Sequence, residues 1–474
     1  MIEISITNNV CHLDGNRKHL NKLYKDFKVR NPNAFFLRKY MPRGWDGKID
    51  YIRESGTFQT GLLPKVFGAA SKLDSVKLID NRNNKFKKLI IPSKLNSLTP
   101  RPYQNRIVNS LIHYKVGDVF FRRGIIKAAT NAGKTIIAAM IYKTFQKKTA
   151  MIINSTELYN QALQELPELL NADEIGWIGP GKKGIKWAPF MVCKVMSTCN
   201  KLSTIQHKLE GYEVVIVDEC DLADNKSYKK VLKHFYNAYT KVGMSGSVFV
   251  SKLAKDKPKN ENIRQLFGEV VDEITNADLQ ELGFSSKLKI KIHPGNTDVR
   301  VPGDFKEEYR LGIVKNKVRN KRILKRLVFN LKKGRLTALV VVKEHKHLRI
   351  LLKMIQKKLG KKYSIDWVHH ARKDRKEVVE RFRLGKIDIL VGSRIIQRGK
   401  NWPYLSYISN AGGGDAPEMI LQIMGRGMRK GPSETKYMDD FFDEGYYLKR
   451  HSKHRIAYYK NDKQDVKSLV KNVK

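Results

Sequence analysis

The chain has 474 residues, with 92 Lys or Arg against 46 Asp or Glu, so its formal net charge is 92 − 46 = +46. This length predicts about three domains with well-buried cores, and excludes a miniprotein that needs covalent staples. The positive excess indicates a polyanionic partner, because it speeds encounter with nucleic acid and makes affinity fall steeply with salt. A lysine-rich surface that merely keeps the chain solvated is the alternative.

The four cysteines are too few for a disulfide framework, and their spacing fits no zinc pattern. We therefore expect a reducing, cytoplasmic setting. No cleavable leader is expected, since no basic segment followed by an apolar one opens the chain. The longest clearly apolar run, residues 336–342, is about seven residues long against the roughly 20 that a membrane span needs. We expect no membrane association.

Residues 1 to about 95 contain short alternating runs separated by turns, which predicts a small separate β-rich (α+β) domain. Within it, Asp46-Gly47 between alternating residues predicts a β-hairpin turn, and Trp45 is expected to anchor a small core. The Ser- and Pro-containing residues 92–100 are typical of a linker.

Two further blocks have the alternation of apolar runs and amphipathic helices that is typical of a parallel sheet flanked by helices. The first spans residues 96–285, with strand candidates at 150–153 and 214–217 and a polar surface loop expected at 252–262. The second spans residues 286–474, with strand candidates at 336–342 and 387–391. The predicted fold class is therefore α/β, with two parallel-sheet lobes in tandem after the small N-terminal domain.

Residues 128–135, Ala-Ala-Thr-Asn-Ala-Gly-Lys-Thr, form a candidate phosphate-binding loop. A strand pattern leads into this loop and a helical pattern leaves it, as such a loop requires. Backbone N–H groups at the helix start would cradle a phosphate, Lys134 would reach the β and γ oxygens, and the Thr135 hydroxyl would ligate Mg²⁺. Ala128 replaces the first glycine of the general pattern. The loop predicts ATP and Mg²⁺ as ligands.

Asp218 and Glu219 follow an apolar strand pattern, 218 − 134 = 84 residues after Lys134. The carboxyl edge of an open α/β sheet is where such folds bind ligands, so we expect both carboxylates to face the loop. Asp218 is suited to hold Mg²⁺, and Glu219 to orient and deprotonate the attacking water.

Arg426 and Arg429 lie three residues apart, so a helix would present both on one face, with Gln422 one turn earlier. Guanidinium groups suit the charge spread over a transferring γ-phosphate. Supplied from the second lobe, they would tie hydrolysis to lobe closure. A basic helix that only faces solvent is the alternative.

In these segments the chain resembles the superfamily 2 helicases, and among them the UvsW-like phage branch-migration helicases and their XPB-like relatives. The resemblance spans most of the chain and implies two RecA-like lobes that hydrolyse ATP and move along nucleic acid. The segments that carry it are residues 101–104, 130–135, 218–221, 245–247, 340–343, 393–403 and 422–429. Two positions depart from it: Asp221 stands where those relatives have histidine, and Asn401 where aspartate is usual.

The resemblance also implies roles residue by residue. The implied catalytic residues are Lys134, Asp218, Glu219, Gln422, Arg426 and Arg429. The implied nucleotide-binding residues are Arg101, Tyr103, Gln104, Thr130, Asn131, Ala132, Gly133, Lys134, Thr135, Gly399, Arg426 and Arg429, with Gln104 as reader of the adenine. The implied nucleic-acid contacts are Ser155, Thr156, Ser197, Thr198, Lys343 and Ser393. The residues implied to couple the ATP site to the nucleic-acid strand are Asp221, Ser245 and Ser247.

The predicted function is an ATP-dependent DNA helicase or translocase that unwinds or branch-migrates forks and Holliday junctions in recombination, repair or replication. It is expected to bind single-stranded and branched DNA without sequence preference. Residues 44–48 are similar to a segment of the small N-terminal domain of UvsW-like proteins, which favours DNA over RNA and implies that residues 1–95 form a DNA-binding domain. An RNA helicase of DEAD-box type remains an alternative, as residues 218–221 indicate. A basic nucleic-acid-binding protein that ATP switches without movement is another, and so is a restriction-type motor that needs a separate nuclease.

Some residues are expected to be structural only. Trp402, Phe441 and Phe442 are predicted core residues rather than a strand-separating wedge. The histidines at 369–370 and 451–454 have no Cys or acidic partner at a suitable spacing, so we expect solvated basic segments rather than a metal site.

Overall fold

The computed structural model describes residues 1–42, 44–82, 86, 88–129, 131–181, 184–249, 256–296, 299–335, 337–392, 402–414 and 434–470. The predicted site residues outside this range are Thr130, Ser393, Gly399, Gln422, Arg426 and Arg429. Asn401 lies outside it as well. The chain divides into two compact units, residues 1–128 with 132–274, and residues 129–131 with 275–474.

The N-terminal part of the first unit is built on a small mixed sheet. Its strands are β1 Ile2–Ile6, β2 Val10–Asp14, β3 Lys28–Arg30, β4 Lys48–Asp50, β5 Thr57–Gln59 and β6 Val76–Asp80. Its helices are α1 Arg17–Asp26, α2 Ala34–Leu37 and α3 Leu63–Ala70. Four strands pair in the order β5-β2-β1-β6, with β1 antiparallel to β2 and parallel to β6. Ile2, Ile4 and Ile6 are fully buried on one face of β1, as the alternating pattern predicts.

The predicted hairpin turn at Asp46-Gly47 is wrong. Strands β3 and β4 do pair antiparallel, but residues 31–47 lie between them. The Asp46 carboxylate accepts a hydrogen bond from the Lys48 backbone N–H at 2.9 Å, so the dipeptide forms a local turn that begins β4. A turn signal alone does not specify which strand precedes it. Trp45 is half-buried rather than a core residue, and its indole N–H donates to the Lys48 carbonyl oxygen.

The remainder of the first unit is a seven-stranded sheet with flanking helices. A two-stranded ribbon, β7 Lys115–Val116 and β8 Val119–Phe120, precedes it. The sheet strands are β9 Gly124–Ala128, β10 Thr149–Ile153, β11 Ile175–Ile178, β12 Phe190–Lys194, β13 Val214–Asp218, β14 Thr240–Met244 and β15 Val270–Ile274. The helices are α4 Pro102–His113, α5 Lys134–Phe145, α6 Thr156–Glu165, α7 Val195–Cys199, α8 Leu202–Leu209, α9 Lys226–Leu232 and α10 Lys257–Phe267.

The strand order is β11-β12-β10-β13-β14-β9-β15, and every pairing between these strands is parallel. Strands β10, β13 and β14 are buried along their whole length, because helices cover both faces of the sheet. The surface loop predicted for residues 252–262 is wrong over its last part, since α10 begins at Lys257. Ile263 and Phe267 bury its inner face, and this spacing was hidden by the polar residues around it.

The second unit repeats the architecture. Its strands are β16 Lys287–Pro294, β17 Ala338–Val341, β18 Ile365–Val368, β19 Ile389–Gly392, β20 Tyr407–Asn410, β21 Thr435–Phe442 and β22 Asp465–Ser468. Its described helices are α11 Asn276–Glu281, α12 Phe305–Tyr309, α13 Lys317–Lys332, α14 His345–Leu359, α15 Arg375–Arg383 and α16 Leu448–Asn461. The strand order is β18-β19-β17-β20-β21-β16-β22, again with parallel pairings throughout.

The predicted fold class is confirmed: two parallel-sheet lobes follow a small β-rich region with a mixed sheet. Trp402, Phe441 and Phe442 are buried in the second lobe, as predicted. The domain boundaries near residues 95 and 285 remain predictions. Within the described part of the chain, no helix combines the length and apolar character that a bilayer span needs.

Candidate nucleotide-binding site

Three neighbouring strands end at the same edge of the first seven-stranded sheet. Strand β13 ends at Asp218, β14 at Met244 and β9 at Ala128, and the order in the sheet is β13-β14-β9. The backbone N–H of Ala128 donates to the Ser245 carbonyl oxygen at 3.2 Å, which ties the segments after β9 and β14 together. Because parallel strands share one carboxyl edge, all three predicted motifs meet there.

The candidate phosphate loop turns sharply into α5. Gly133 has φ +73° and ψ +50°, a left-handed conformation, and the helix begins at Lys134. A Cβ at position 133 would lie 2.5 Å from Nε2 of Gln104. Only glycine satisfies both demands, because it tolerates positive φ and adds no Cβ. The turn leaves the first backbone N–H groups of α5 without partners inside the helix, as an anion cradle requires.

Lys134 lies between the two acidic residues that follow β13. Its Nζ donates to Glu219 Oε1 at 2.8 Å and lies 3.2 Å from Asp218 Oδ1. Burial alone would lower the pKa of Lys134, but the two carboxylates raise it above its usual range. The ammonium group is thus held charged at the edge of the sheet, beside the loop.

Asp218 presents a buried oxygen that fits a role in holding Mg²⁺. Its side chain is 7% exposed, and Oδ1 accepts no hydrogen bond from the described residues, since Lys134 Nζ lies within ion-pair distance but off the hydrogen-bond direction. Burial raises the pKa of Asp218, and Lys134 opposes that shift. Carboxylate and hydroxyl oxygens are ligands that Mg²⁺ accepts, so Asp218 with the half-buried Thr135 suits this ion.

Glu219 has an unusual backbone. Its φ is +51° and its ψ +54°, which places a non-glycine residue in the left-handed region at a cost of about 1–3 kcal/mol. Such strain persists when the surroundings enforce it, and it is concentrated at functional sites. Here it directs the carboxylate to Lys134 on one side, while Oε2 lies 3.4 Å from Ser245 Oγ on the other. No feature of the sequence signals this conformation.

A buried hydrogen-bond chain connects the segments after β13 and β14. Ser245 Oγ donates to Asp221 Oδ1 at 2.7 Å, and the Ser247 backbone N–H donates to Ser245 Oγ at 3.1 Å. Burial, and then the Glu219 carboxylate, raise the pKa of Asp221. The three residues predicted to couple ATP state to nucleic acid are therefore in contact. Their coupling role remains a prediction.

Gln104 lies beneath the loop. Its Nε2 donates to the Ala132 carbonyl oxygen at 3.0 Å, and its Oε1 accepts from the Arg101 backbone N–H at 2.9 Å. The Tyr103 hydroxyl donates to the same Ala132 oxygen at 3.1 Å. The amide is fully buried, so in this structure it braces the loop with both ends, and adenine recognition by Gln104 remains a prediction.

The predicted nucleic-acid contacts of the first lobe are not equally available. Thr156 is exposed and Ser197 half-buried, whereas Ser155 is buried and its hydroxyl oxygen caps α6 by accepting from the Leu158 backbone N–H. Thr198 is fully buried, and its hydroxyl donates to the carbonyl oxygen of Lys194, one helical turn earlier. Its role as a nucleic-acid contact remains a prediction. A threonine in a helix commonly makes this bond, which the sequence does not distinguish from an outward contact.

In the second lobe, the described candidates are fewer. Lys343 is half-buried and follows β17, with its Nζ 5.2 Å from the ring centre of Phe305 and 4.9 Å from that of Tyr309. These aromatic faces hold the lysine stem in place beside the carboxyl edge of that sheet. The other site residues predicted in this lobe lie outside the described range: Ser393, Gly399, Gln422, Arg426 and Arg429.

Two features of the first unit were not predicted from the sequence. Cys220 is fully buried, and a Cβ on Gly243 would lie 2.8 Å from its Sγ, so close packing beneath the acidic pair helps to position it. Phe35 and Phe36 lie exposed on α2, although apolar side chains of this size are usually buried. The second feature has a sequence signal, two adjacent aromatics within a basic segment.

Two family models match the chain, one in each lobe. Residues 97–249 match the model described as type III restriction enzyme, res subunit, and residues 319–431 match the helicase conserved C-terminal domain. These ranges contain the loop, the acidic pair and the predicted arginine helix.

Similar proteins are found over most of the chain. The ATP-dependent DNA helicase uvsW of Enterobacteria phage T4 is 25% identical over 433 residues, covering 84% of this chain and 82% of that protein. The DNA 3'-5' translocase XPB2 of Sulfurisphaera tokodaii is 21% identical, covering 76% and 85%. Among solved structures, Saccharomyces cerevisiae Dbp5 bound to RNA and ADP BeF3 has TM-score 0.51 and 15% identity, covering 78% and 89%, which shows a shared fold. The chain belongs to the superfamily 2 helicases, among relatives of UvsW and XPB type.

Proposed function

We propose that the protein is an ATP-dependent DNA helicase or translocase that remodels branched DNA such as forks and four-way junctions. The observation that carries the proposal is the cluster of Lys134, Asp218 and Glu219 beside the loop that opens α5. A lysine held charged between two carboxylates, next to free backbone N–H groups, is suited to bind and cleave a nucleoside triphosphate.

Each residue has a distinct part in this proposal. The N–H groups after Gly133 bind a phosphate, and Lys134 exchanges a carboxylate for the β and γ oxygens. Glu219 orients a water and accepts its proton. Thr135 and Asp218 would hold Mg²⁺, which when bound offsets the negative charge of the phosphates.

Further residues complete the proposal from the sequence alone. Arg426 and Arg429, with Gln422, stabilise the charge of the transferring phosphoryl group from the second lobe. The contact of Ser245 with Asp221 offers a route by which loss of the γ-phosphate reaches the nucleic-acid strand. Because ATP binding favours closed lobes and hydrolysis releases them, one lobe advances along the backbone relative to the other.

DNA is the proposed track for two reasons. The T4 and Sulfurisphaera relatives are named as a DNA helicase and a DNA translocase. The net charge of +46 supports binding to phosphates, which gives affinity without reading sequence. The preference for branched DNA follows from the resemblance to UvsW-like helicases.

The test is steady-state ATP hydrolysis by the wild type and Glu219→Gln, with no nucleic acid, single-stranded DNA, a synthetic four-way junction, or RNA. We expect stimulation by DNA, greatest with the junction. The substitution should lower kcat by about 10²- to 10⁴-fold, because a general base contributes that much. Nucleotide binding, followed with a fluorescent ATP analogue, should persist in the variant.

Glu213→Gln is the matched control, because Glu213 immediately precedes β13 and pairs with Lys147 at 3.0 Å, at the opposite end of that strand from Glu219. It should hydrolyse ATP at the wild-type rate. Greater stimulation by RNA than by any DNA would replace this proposal with an RNA helicase. Nucleic-acid binding without turnover would replace it with an ATP-switched binding protein.

A further inference from the structure

Helix α2 carries two adjacent aromatic side chains that the fold does not cover. Phe35 is 85% exposed and Phe36 71% exposed, the two most exposed phenylalanines of the described chain. Their ring centres lie 5.5 Å apart with the planes at 86°. Single exposed apolar residues are ordinary, but an adjacent pair of nearly bare rings marks a surface that has a ligand.

The short helix is held so that these rings point outward. Ala34 and Leu37 share one face of the single turn and are half-buried, while Phe35 and Phe36 occupy the other. A Cβ on Gly47 would lie 3.2 Å from the Ala34 Cβ, so the helix packs closely on the chain entering β4. The Asn31 backbone N–H donates to the Gly47 carbonyl oxygen at 2.9 Å and closes this loop.

The segment that bears the rings is basic, since residues 28–50 contain six Lys or Arg against two Asp. The register of β3 and β4 places Arg30 directly opposite Lys48, and both are exposed. Like charges at opposed positions destabilise a strand pair, and no carboxylate of the described residues lies within ion-pair distance of either side chain. Lys28, two residues before Arg30, does have one in Asp50, at 3.2 Å. Arg38 is exposed immediately after α2.

We propose that Phe35 and Phe36 stack on unpaired DNA bases where a duplex opens into single strands, while Arg30, Arg38 and Lys48 bind the neighbouring phosphates. The inference rests on the proposed function and deepens it, because it assigns the site that contacts the branch point. Aromatic rings accept any base on their faces, so the contact is sequence-tolerant. The charge complements phosphate, which distinguishes this occupant from an apolar segment of a protein.

The aromatic pair belongs to the same compact unit as Lys134 and the acidic pair, and the region that bears it is bound to α10 of that unit. The Tyr51 hydroxyl, just after β4, lies 3.0 Å from both the Pro258 carbonyl oxygen and Asn262 Oδ1 in α10. Lys65 Nζ lies 2.6 Å from Glu261 Oε1 of the same helix. Movement of the first lobe along DNA would therefore carry the rings with it.

The test uses the full chain and a forked DNA with 5-iodouracil at the first unpaired position. Wild-type protein should cross-link on irradiation at Phe35 or Phe36, as located by mass spectrometry of the digested adduct. The double variants Phe35→Ala/Phe36→Ala and Phe35→Leu/Phe36→Leu should bind the fork about tenfold more weakly, measured by fluorescence anisotropy. Phe35→Trp/Phe36→Trp should retain wild-type affinity, because it retains the ring faces.

Tyr236→Ala is the matched control, since Tyr236 is an exposed aromatic of the same unit whose carbonyl oxygen accepts from Asn8 and Asn9, and the variant should bind the fork as wild type. Wild-type affinity in the leucine variant would overturn base stacking and indicate a generic apolar contact. Cross-links at other residues only would overturn it too. Failure of the proposed function is separate: it would appear as wild-type protein whose ATP hydrolysis DNA does not stimulate, whatever the cross-link shows.

Discussion

Both seven-stranded sheets have charged side chains near the carboxyl ends of their strands, but the two sets differ in their ion-pair and hydrogen-bond partners. In the first sheet, Lys134 stands between Asp218 and Glu219, and the Lys134 and Glu219 side chains are 18% and 24% exposed. In the second, Arg319 is fully buried and donates to both oxygens of Asp443 and to the Ala411 carbonyl oxygen.

The difference separates the proposed reaction site from a cluster that stabilises the fold. The Lys134 cluster holds two carboxylates close together, an arrangement that a cation relieves and that costs stability on its own. Arg319 instead donates hydrogen bonds to protein oxygens, and these bonds link the segments that follow β20 and β21. A repeated architecture therefore does not imply a repeated function. Substitutions in the first cluster should lower ATP hydrolysis, and those in the second should lower stability.

The largest effect is expected in the first cluster. Lys134→Ala should lower ATP hydrolysis by about 100-fold or more, because a charged donor aimed at the phosphates is lost. Lys143→Ala is the control, since Lys143 lies in the same helix and pairs with Glu174 at 2.7 Å. It should keep wild-type turnover in a steady-state phosphate-release assay. Equal loss in both variants would show that the assay reports damage to α5 rather than the site.

In the second cluster, Arg319→Ala should act on stability. It leaves the buried Asp443 without its cation, which costs about 3–5 kcal/mol in the free energy of unfolding. Urea unfolding followed by circular dichroism measures this. Arg383→Ala removes a partly exposed pair with Glu380 on α15 and should cost at most about 1 kcal/mol. If the two variants unfold at the same urea concentration, the buried pair does not stabilise the fold.

A pH dependence follows from His347, which contacts Asn320 near Arg319. Burial, and then the Arg319 charge, lower the pKa of His347 to about 3. The folded protein therefore binds this proton less readily than the unfolded chain, and the stabilisation present above about pH 6.5 falls by up to about 1.4 kcal/mol per pH unit below it. His347→Gln should flatten that slope between pH 6.5 and 5, whereas His113→Gln, at an exposed histidine, should leave it unchanged.

A smaller effect tests the shape of the loop. Gly133→Ala adds a Cβ at a position with positive φ, and this Cβ would lie 2.5 Å from Gln104 Nε2. The loop must therefore shift, and KM for ATP should rise by about tenfold, or about 1.4 kcal/mol. Gly181→Ala is the control: Gly181 has φ +74° but nothing within 4 Å of a Cβ. It should cost about 1 kcal/mol of stability and leave KM unchanged. A raised KM in both would point to general strain instead of the contact.

Several site features were predictable because their chemistry is local in sequence. A phosphate loop needs a small-residue turn, a lysine and a hydroxyl within a few positions, so residues 128–135 reveal it. Asp218 and Glu219 were predictable because an acidic pair directly after an apolar strand must lie at the sheet edge. The parallel sheets followed from the apolar strand patterns.

Other predictions were wrong because contacts with other segments of the chain determine the local structure. Asp46-Gly47 signals a turn, but the strand that pairs with β4 lies before residue 31, so no tight hairpin forms. The hydrogen bond from the Thr198 hydroxyl to the Lys194 carbonyl oxygen was not predicted either, and the role of Thr198 as a nucleic-acid contact stays a prediction. The helix that begins at Lys257 was predicted to be a loop. Its polar residues outnumber the two apolar ones, and these two stabilise the helix only when the sheet is present to cover them.

The sequence by itself determined the family, the two-lobed α/β class and the residue types of the proposed ATP site, because phosphate chemistry and strand burial constrain short stretches of chain. Only the tertiary structure decided that Ser245 would bond Asp221, that Arg319 would pair with Asp443 across 124 residues, and that Phe35 and Phe36 would stay uncovered. Contacts between distant segments depend on how elements pack, and exposure depends on which surface the packing leaves free.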